Sequence, residues 1–299
     1  MRVAMISYHT CPLATLGGKD TGGMNVYVRE LTRQLGKQGV HVDVFTRSQD
    51  EHVPHVLHDL GYGNRVVHVP AGPETPLPKQ ELVDYLPQFV AGIQEFAAQK
   101  ELTYDLIHSH YWMSGIAAGE LKKAWQVPVV HMFHTLGVMK QRVARQPGEA
   151  EGEYRIKGEN EVLRLADKIV AATPAELAQL QWLYRAETDK MVIIPPGVDI
   201  SRFYPIPQDE AKEFIGVLPC DQVLLFVGRI EPLKGIDTLI DALAILREQG
   251  LKMCLIVIGG DPDAGEQGIS SEMARLQMIR ESAGMQDLVA FLGKRSQDT

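Results

Sequence analysis

The stretch "GGMNVYVRELTRQLGKQGVHVDVFTR" (residues 22–47) holds a helix pattern and a strand pattern in immediate succession. Apolar residues at helical spacing predict an amphipathic helix over 24–38. A β-branched run then predicts a strand over 41–46. Because another apolar run (2–7) precedes the glycines, the N-terminal part of the chain predicts a strand–helix–strand unit with parallel strands.

The same alternation continues along the chain. Short apolar runs predict further strands at 65–70, 105–110, 127–133, 168–173, 222–228, 252–259 and 288–293. Apolar residues at helical spacing predict further helices at 79–99, 112–125, 157–166, 236–248 and 270–283. This order predicts the α/β class, with parallel sheets covered by helices on both faces.

The chain is expected to form two domains, since 299 residues suit two units of about 150 residues each. Proline, glycine and turn residues interrupt the periodicity at "IIPPGVDISRFYPIP" (193–207). We therefore assign one domain to residues 1–200 and another to 201–299. The second holds three predicted strands, fewer than in an average sheet, so we expect it to be incomplete and the chain to be a fragment of a longer protein.

Composition excludes several classes of function. A formal charge of −8 argues against a broad nucleic-acid surface. No apolar run reaches the roughly 18 residues of a membrane span, so no integral membrane segment is expected. Three cysteines far apart in the sequence predict no disulfide framework and favour a reducing, cytoplasmic compartment. The sequence leaves the oligomeric state open.

Gly22 and Gly23 stand directly before the first predicted helix. The N-terminus of a helix offers backbone N–H groups and a positive dipole end to a phosphate, and glycine lets that anion come close. The alternative is a strand–helix turn that needs positive φ. The spacing is not that of the dinucleotide fingerprint G-x-G-x-x-G, which argues against a nicotinamide-dependent dehydrogenase.

A second candidate site lies in "VGRIEPLKGID" (227–237), after a predicted strand and before a predicted helix. Arg229 and Lys234 lie in this connection. The carboxyl ends of parallel strands are where open α/β sheets bind ligands. A guanidinium and an ammonium at this position are suited to a phosphate, whereas either alone is more often a solvated surface cation.

Five motifs follow one another along the chain: "GGMNVYV" (22–28), "YDLIHSHYW" (104–112), "HTLG" (134–137), "VIIPPGVD" (192–199) and "GRIEPLKG" (228–235). In this order they resemble the motifs of the retaining glycosyltransferases of family 4, which have two Rossmann-like domains (the GT-B fold). Within that family the sequence is similar to the sucrose-phosphate synthases and to the inositol-phosphate glycosyltransferases of mycothiol synthesis.

The resemblance implies a nucleotide-sugar donor, with no tightly bound cofactor and no metal. It favours UDP-glucose or UDP-N-acetylglucosamine and leaves an ADP-sugar open. Arg229 and Lys234 would hold the diphosphate, and the glycine turn would approach it and the transferred sugar from the N-terminal domain. The segment "FLGKR" (291–295) resembles the one beside the uracil. The implied donor-binding residues are Gly22, Gly23, Asn25, Arg229, Lys234 and Arg295.

The resemblance also implies a phosphorylated sugar or inositol as acceptor, bound in the N-terminal domain. Cations from separate segments would hold its phosphate. The implied acceptor-binding residues are His9, Lys79, Tyr111, Thr135, Lys140 and Arg155. His134 is the implied catalytic residue, with its backbone carbonyl facing the anomeric carbon.

The family also carries two glutamates separated by seven residues, and these would follow Thr299. Their absence leaves a second hypothesis open, a non-catalytic phosphosugar-binding fragment or degenerate copy.

Two further motifs are weak candidates for a metal site. The histidines of "HVPHVLH" (52–58) lack further metal ligands at matching spacing, and "GGDPDAGEQG" (259–268) lacks the terminal glutamate of an EF-hand.

Overall fold

The computed structural model describes residues 1–14, 22–144, 152–215, 220, 222–260 and 270–295. The chain divides into two compact units. The first comprises Met1–Arg142 and Gln146–Pro196, and the second comprises Val143–Arg145 and Gly197–Thr299. The connection at Pro196 and Gly197 lies inside the proline-rich segment that the sequence marks as a seam.

The first unit is built on an eight-stranded sheet in the order β3-β4-β2-β1-β5-β6-β7-β8. Its neighbouring strands pair in parallel except β3, which is antiparallel to β4 at the edge. The strands are β1 Arg2–Ile6, β2 His41–Arg47, β3 Val56–Leu57, β4 Arg65–Val69, β5 Leu106–His110, β6 Val129–Met132, β7 Lys168–Ala171 and β8 Met191–Ile193.

Helices connect these strands, together with 3-10 turns at Val83–Tyr85 and Thr188–Lys190. The α-helices described in this unit are α1 Gly23–Lys37, α2 Lys79–Leu82, α3 Leu86–Gln99, α4 Trp112–Trp125, α5 Gly137–Val143, α6 Glu153–Leu165 and α7 Pro174–Tyr184.

The central strand β1 is buried on both faces, as the uninterrupted apolar run predicts. Ala4 and Ile6 belong to the core that α3 and α4 cover. Val3 and Met5 belong to the core on the other face, together with Val28 of α1. Because successive side chains of a strand point to opposite faces, one strand joins both cores and the helices must flank the sheet on both sides.

The second unit contains a parallel sheet in the order β11-β10-β9. Its described elements are α8 Gln208–Ile215, β9 Gln222–Val227, a 3-10 turn at Pro232–Lys234, α9 Ile236–Glu248, β10 Met253–Ile258, α10 Ser271–Ser282 and β11 Val289–Gly293. The three strands predicted from the sequence are all present.

The strand ends of this second unit approach each other very closely. Gly259 has a φ of +138°, and a Cβ at this position would stand 1.8 Å from the carbonyl oxygen of Gly228. Only glycine fits such an approach, so the carboxyl ends of β9 and β10 are held together by backbone contact.

The expectation of no disulfide was wrong. Cys220, just before β9, is bonded to Cys254 in β10 across 34 positions of sequence. β9 and β10 are neighbours in the sheet, and this brings the two Cα atoms to 5.8 Å. Sequence distance could not reveal that contact.

The α/β class and the predicted strands are confirmed, while one predicted helix is divided. The segment 79–99 forms α2, a 3-10 turn and α3. Pro87 lies in the first turn of α3, where its missing N–H is tolerated, and this is why a new helix begins there.

Candidate functional site

Polar and aromatic side chains gather at the carboxyl ends of three adjacent strands of the first unit. β1 leads to His9, β5 ends at His110 and is followed by Tyr111, and β6 leads to His134 and Thr135. The strand order β1-β5-β6 makes these ends neighbours. This is the edge of an open parallel sheet at which ligands bind.

The backbone conformation of the turn at Gly22 and Gly23 does not require glycine. Gly22 is the N-cap of α1 with a φ of −177°, an extended value that any residue adopts. Gly23 does not have positive φ, and a Cβ there would meet nothing within 4 Å. The positive-φ alternative is therefore wrong, and open space lies beside Gly23.

Asn25 fixes this turn from inside. Its Nδ2 donates to Thr10 Oγ1 and to the Cys11 carbonyl, both at 2.7 Å, and its Oδ1 accepts from the Gly22 N–H at 2.9 Å. The side chain is buried. Asn25 therefore holds the turn at Gly22 and Gly23 in place. The predicted direct contact of Asn25 with a donor stays a prediction.

Three of the predicted acceptor residues lie around the ring of a fourth, Tyr111. Lys79 Nζ lies 5.6 Å and Arg155 Cζ 4.9 Å from the ring centroid of Tyr111. The ring of His9 is 4.4 Å from the same ring. The negative face of an aromatic ring attracts cations, so the Tyr111 ring brings an ammonium and a guanidinium from separate segments to one place.

Arg155 is fully buried on α6 and its guanidinium is held in place. Nε donates to Glu159 Oε1 at 2.8 Å, and Nη2 donates to the carbonyl and the hydroxyl of Thr135 at 2.8 and 3.0 Å. The structure therefore joins Thr135 to the cluster through Arg155.

Sequence reasoning missed Glu159, the buried carboxylate opposite Arg155. It accepts hydrogen bonds from the Gly137 N–H at 2.9 and 3.1 Å and from the Tyr184 hydroxyl. Burial, followed by the bond to Glu159, raises the pKa of Tyr184, so this phenol stays protonated and donates. The spacing of Arg155 and Glu159, one helical turn apart, was the signal available in the sequence.

Arg47 and Tyr8 are two further residues that the sequence did not single out. Arg47 is buried at the end of β2, and Nε donates to the Ala71 carbonyl at 2.8 Å and Nη1 to the Thr75 carbonyl at 3.1 Å. Tyr8 Oη donates to the Leu82 carbonyl at 2.7 Å. These bonds hold the segment that carries Lys79.

Lys140 lies half-buried on α5, one turn after Gly137. Its backbone N–H donates to the Leu136 carbonyl. The role predicted for its ammonium at the acceptor phosphate stays a prediction.

Four histidines lie together under this edge of the sheet. His108 and His110 of β5 have ring centroids 4.3 Å apart, and His110 Nδ1 is 3.0 Å from His134 Nε2. His131 of β6 pairs through Nδ1 with the Ser109 hydroxyl at 2.8 Å. Burial lowers the pKa of His108 to about 4 and those of His110 and His131 well below the ordinary value.

His134 has an unusual backbone. Its φ of +62° is in the left-handed region, which a side chain with Cβ rarely adopts and which occurs preferentially at functional sites. The Tyr27 ring of α1 packs edge-on against its imidazole at 5.3 Å. Burial, with a smaller contribution from His108, lowers the pKa of His134 to about 3, so the ring is neutral at physiological pH.

In the second unit, the predicted donor residues lie at strand ends. Arg229 follows β9 and pairs with Glu231 at 2.9 Å, while Lys234 closes the 3-10 turn before α9. Gly235, with a φ of +64°, starts that helix. Arg295 follows β11, and its Nη1 donates to the Lys294 carbonyl.

Within the described residues, no group of three or more His, Cys, Asp or Glu is arranged to hold a metal ion. The part of "GGDPDAGEQG" after Gly260 lies outside those residues. Across the described ranges, the helices are all too short or too polar to cross a bilayer.

Comparison with known proteins identifies the family. Residues 21–202 match the model of Glycosyltransferase Family 4, and residues 208–299 match that of Glycosyl transferases group 1. The chain belongs to glycosyltransferase family 4. It is a transferase of the GT-B fold, as the motifs predicted.

Relatives in this family are named D-inositol 3-phosphate glycosyltransferase. One from Actinosynnema mirum is 40% identical over 97% of this chain and 70% of its own length. Another from Kineococcus radiotolerans is 44% identical over 88% of this chain and 62% of its own length. The chain therefore spans roughly two thirds of these curated relatives.

Solved structures give the same fold. Sucrose-phosphate synthase from Thermosynechococcus elongatus superposes with a TM-score of 0.83 at 32% identity, covering 99% of this chain and 71% of that one. The Anabaena HepE protein, solved in complex with UDP-glucose, has a TM-score of 0.65 at 18% identity, covering 99% and 70%.

The buried histidines predict acid sensitivity of the first unit. Their folded pKa values are lowered, so the unfolded state binds more protons once the pH falls below about 6.5. The contribution of each histidine to the free energy of unfolding is therefore fully present above that pH. It falls on acidification by up to about 1.4 kcal/mol per pH unit for each histidine. Urea unfolding at pH 7.5, 6.0 and 5.0 checks this.

Tryptophan fluorescence reports that unit, since Trp112, Trp125 and Trp182 all belong to it. His131→Phe should flatten the pH dependence, whereas His58→Asn, at an exposed position, is the control. A wild-type free energy of unfolding that is unchanged from pH 7.5 to 5.0 would contradict the burial argument.

Proposed function

We propose that this glycosyltransferase moves a hexosyl unit from UDP-glucose or UDP-N-acetylglucosamine to a hydroxyl of a phosphorylated inositol or sugar, with retention of configuration. The observation that carries this proposal is the convergence of Lys79 and Arg155 on the Tyr111 ring. A phosphate ester is the ligand that a guanidinium and an ammonium beside one another bind best, the first through its paired N–H donors and the second as a point charge.

The acceptor assignment has further support from chemistry and from the relatives. The Thr135 hydroxyl is bonded to Arg155, which keeps it beside the guanidinium, and the His9 ring packs on the same tyrosine. The relatives are named for D-inositol 3-phosphate and for sucrose-phosphate, and both names contain a phosphate ester.

The donor assignment draws on each unit separately. In the first unit, Gly23 faces open space and its backbone has no need of glycine, which favours a ligand close to that backbone. In the second unit, Arg229 and Lys234 flank the start of α9, where a diphosphate is favoured. Arg295 is proposed to lie beside the uracil, as the family resemblance implies.

The proposed chemistry is attack from the face that UDP leaves. The bond between the anomeric carbon and the diphosphate oxygen breaks, the acceptor oxygen bonds to that carbon, and the diphosphate takes the hydroxyl proton. The His134 carbonyl would face the developing positive charge. Glu159 is unsuited as a nucleophile because Arg155, Gly137 and Tyr184 already engage its oxygens.

Two glycines of α1 provide a test of donor contact. Gly23→Ala fills open space, so we expect stability to be kept or raised by up to about 1 kcal/mol while UDP affinity falls about tenfold or more. Gly36→Ala would bring Cβ to 2.4 Å from Asn64 Nδ2, so it should lose stability and keep UDP affinity. Thermal unfolding and calorimetry with UDP measure both quantities. Unchanged UDP affinity in Gly23→Ala would remove this turn from the donor site.

The acceptor phosphate is tested through Lys79. The assay uses protein extended through the length of its relatives, with no substitution as the wild type. We expect it to transfer the sugar of a UDP-sugar to inositol 3-phosphate far better than to inositol. Lys79→Met should reduce that preference by about 1.5–3 kcal/mol, the value of a hydrogen bond to a charged group. Lys100→Met, at an exposed position on the C-cap of α3, is the matched control. Equal turnover of both acceptors by the wild type would overturn the assignment.

A further inference from the structure

His110 contacts His134 from the interior of the protein. Its ring is buried at the end of β5, and its Nδ1 lies 3.0 Å from Nε2 of His134. The other nitrogen, Nε2 of His110, is buried without a hydrogen-bond partner among the described residues.

The single hydrogen bond between the two rings can be made in two ways. His110 Nδ1–H donates to His134 Nε2, or His134 Nε2–H donates to His110 Nδ1. In the second arrangement the hydrogen of His110 lies on Nε2 as a buried N–H with no acceptor, whereas in the first only a lone pair is unsatisfied. A buried N–H group without an acceptor is rarer in proteins than a buried acceptor atom without a donor, so the first arrangement is favoured.

The neighbours keep both rings in this arrangement. The Tyr27 ring packs edge-on against His110 at 5.7 Å and against His134 at 5.3 Å. His108 lies 4.3 Å from His110 on the other side. Burial lowers the pKa of each of these three histidines, so neutral tautomers are the relevant states.

We propose that His110 is a positioning residue that fixes His134 as the tautomer with hydrogen on Nδ1 and holds its left-handed backbone. This rests on the proposed function, in which His134 faces the transferred sugar. The fixed ring then offers one N–H donor, and the strained backbone keeps the carbonyl oriented before substrate binds. No described residue accepts a hydrogen bond from Nδ1 of His134, so that donor is left for a ligand.

The tautomer can be read directly in the wild-type protein. In protein labelled with ¹⁵N-histidine, two-bond ¹H–¹⁵N spectra distinguish a protonated from an unprotonated ring nitrogen. The chain has ten histidines, and single substitutions at His110 and His134 assign the two spin systems. We expect Nδ1 of both rings to be protonated and Nε2 unprotonated. A protonated Nε2 in His134 would overturn the proposal, whether or not the protein transfers sugar.

Two substitutions at His110 then distinguish a role in orienting His134 from a role in packing alone. In His110→Asn, the amide N–H attached to Cγ replaces Nδ1–H. In His110→Phe, the ring volume is kept and the donor is lost. We expect His110→Phe to lose about tenfold or more in kcat with the KM for acceptor little changed, and His110→Asn to recover most of that loss.

The NMR spectrum of His134 should change with activity, keeping the wild-type tautomer in His110→Asn and losing it in His110→Phe. Equal activity in the two variants would reduce His110 to a packing residue and overturn the proposal. If neither variant folds, the wild-type spectrum decides the question. If wild-type protein extended through the length of its relatives transfers no sugar but shows the expected tautomers, the proposed function alone is contradicted.

Discussion

The buried ion pair between Arg155 and Glu159 is the interaction on which the candidate site depends. The side chains are 0% and 1% exposed, so both charges are removed from water. Such a pair is tolerated only when its remaining donors and acceptors are also satisfied. Thr135, Gly137 and Tyr184 provide those partners. The ion pair therefore ties α6 to the turn between β6 and α5 and to the end of α7, and loss of one partner is expected to cost about 3–5 kcal/mol.

This constraint fixes the geometry of the site before any ligand arrives. The guanidinium of Arg155 is held against the Tyr111 ring, and the turn that Glu159 anchors begins with His134 and Thr135. In the proposed function, the acceptor phosphate and the reacting carbon are therefore oriented by one rigid segment. Preorganisation of this kind reduces the ordering cost of binding and keeps reacting atoms in place.

Much of the fold could be predicted from the sequence, because apolar periodicity is a local signal that tertiary contacts reinforce. The division of 79–99 was also signalled, by Pro87. In the site, Lys79 and Arg155 were predicted only through the family resemblance, because the sequence around a lysine or arginine does not distinguish a binding residue from a solvated one. Glu159 and His110 were missed because their roles arise from burial beside residues of other elements. The bond between Cys220 and Cys254 was missed for the same reason.

The most direct test of this account is calorimetric titration of inositol 3-phosphate, with UDP present, into wild-type protein and Glu159→Gln. Glu161→Gln, at an exposed position on the same helix, is the matched control. We predict that removing the Glu159 charge frees the guanidinium and weakens binding about tenfold or more, while the control binds as the wild type does. Wild-type affinity in folded Glu159→Gln would contradict the claim that this buried pair builds the acceptor site.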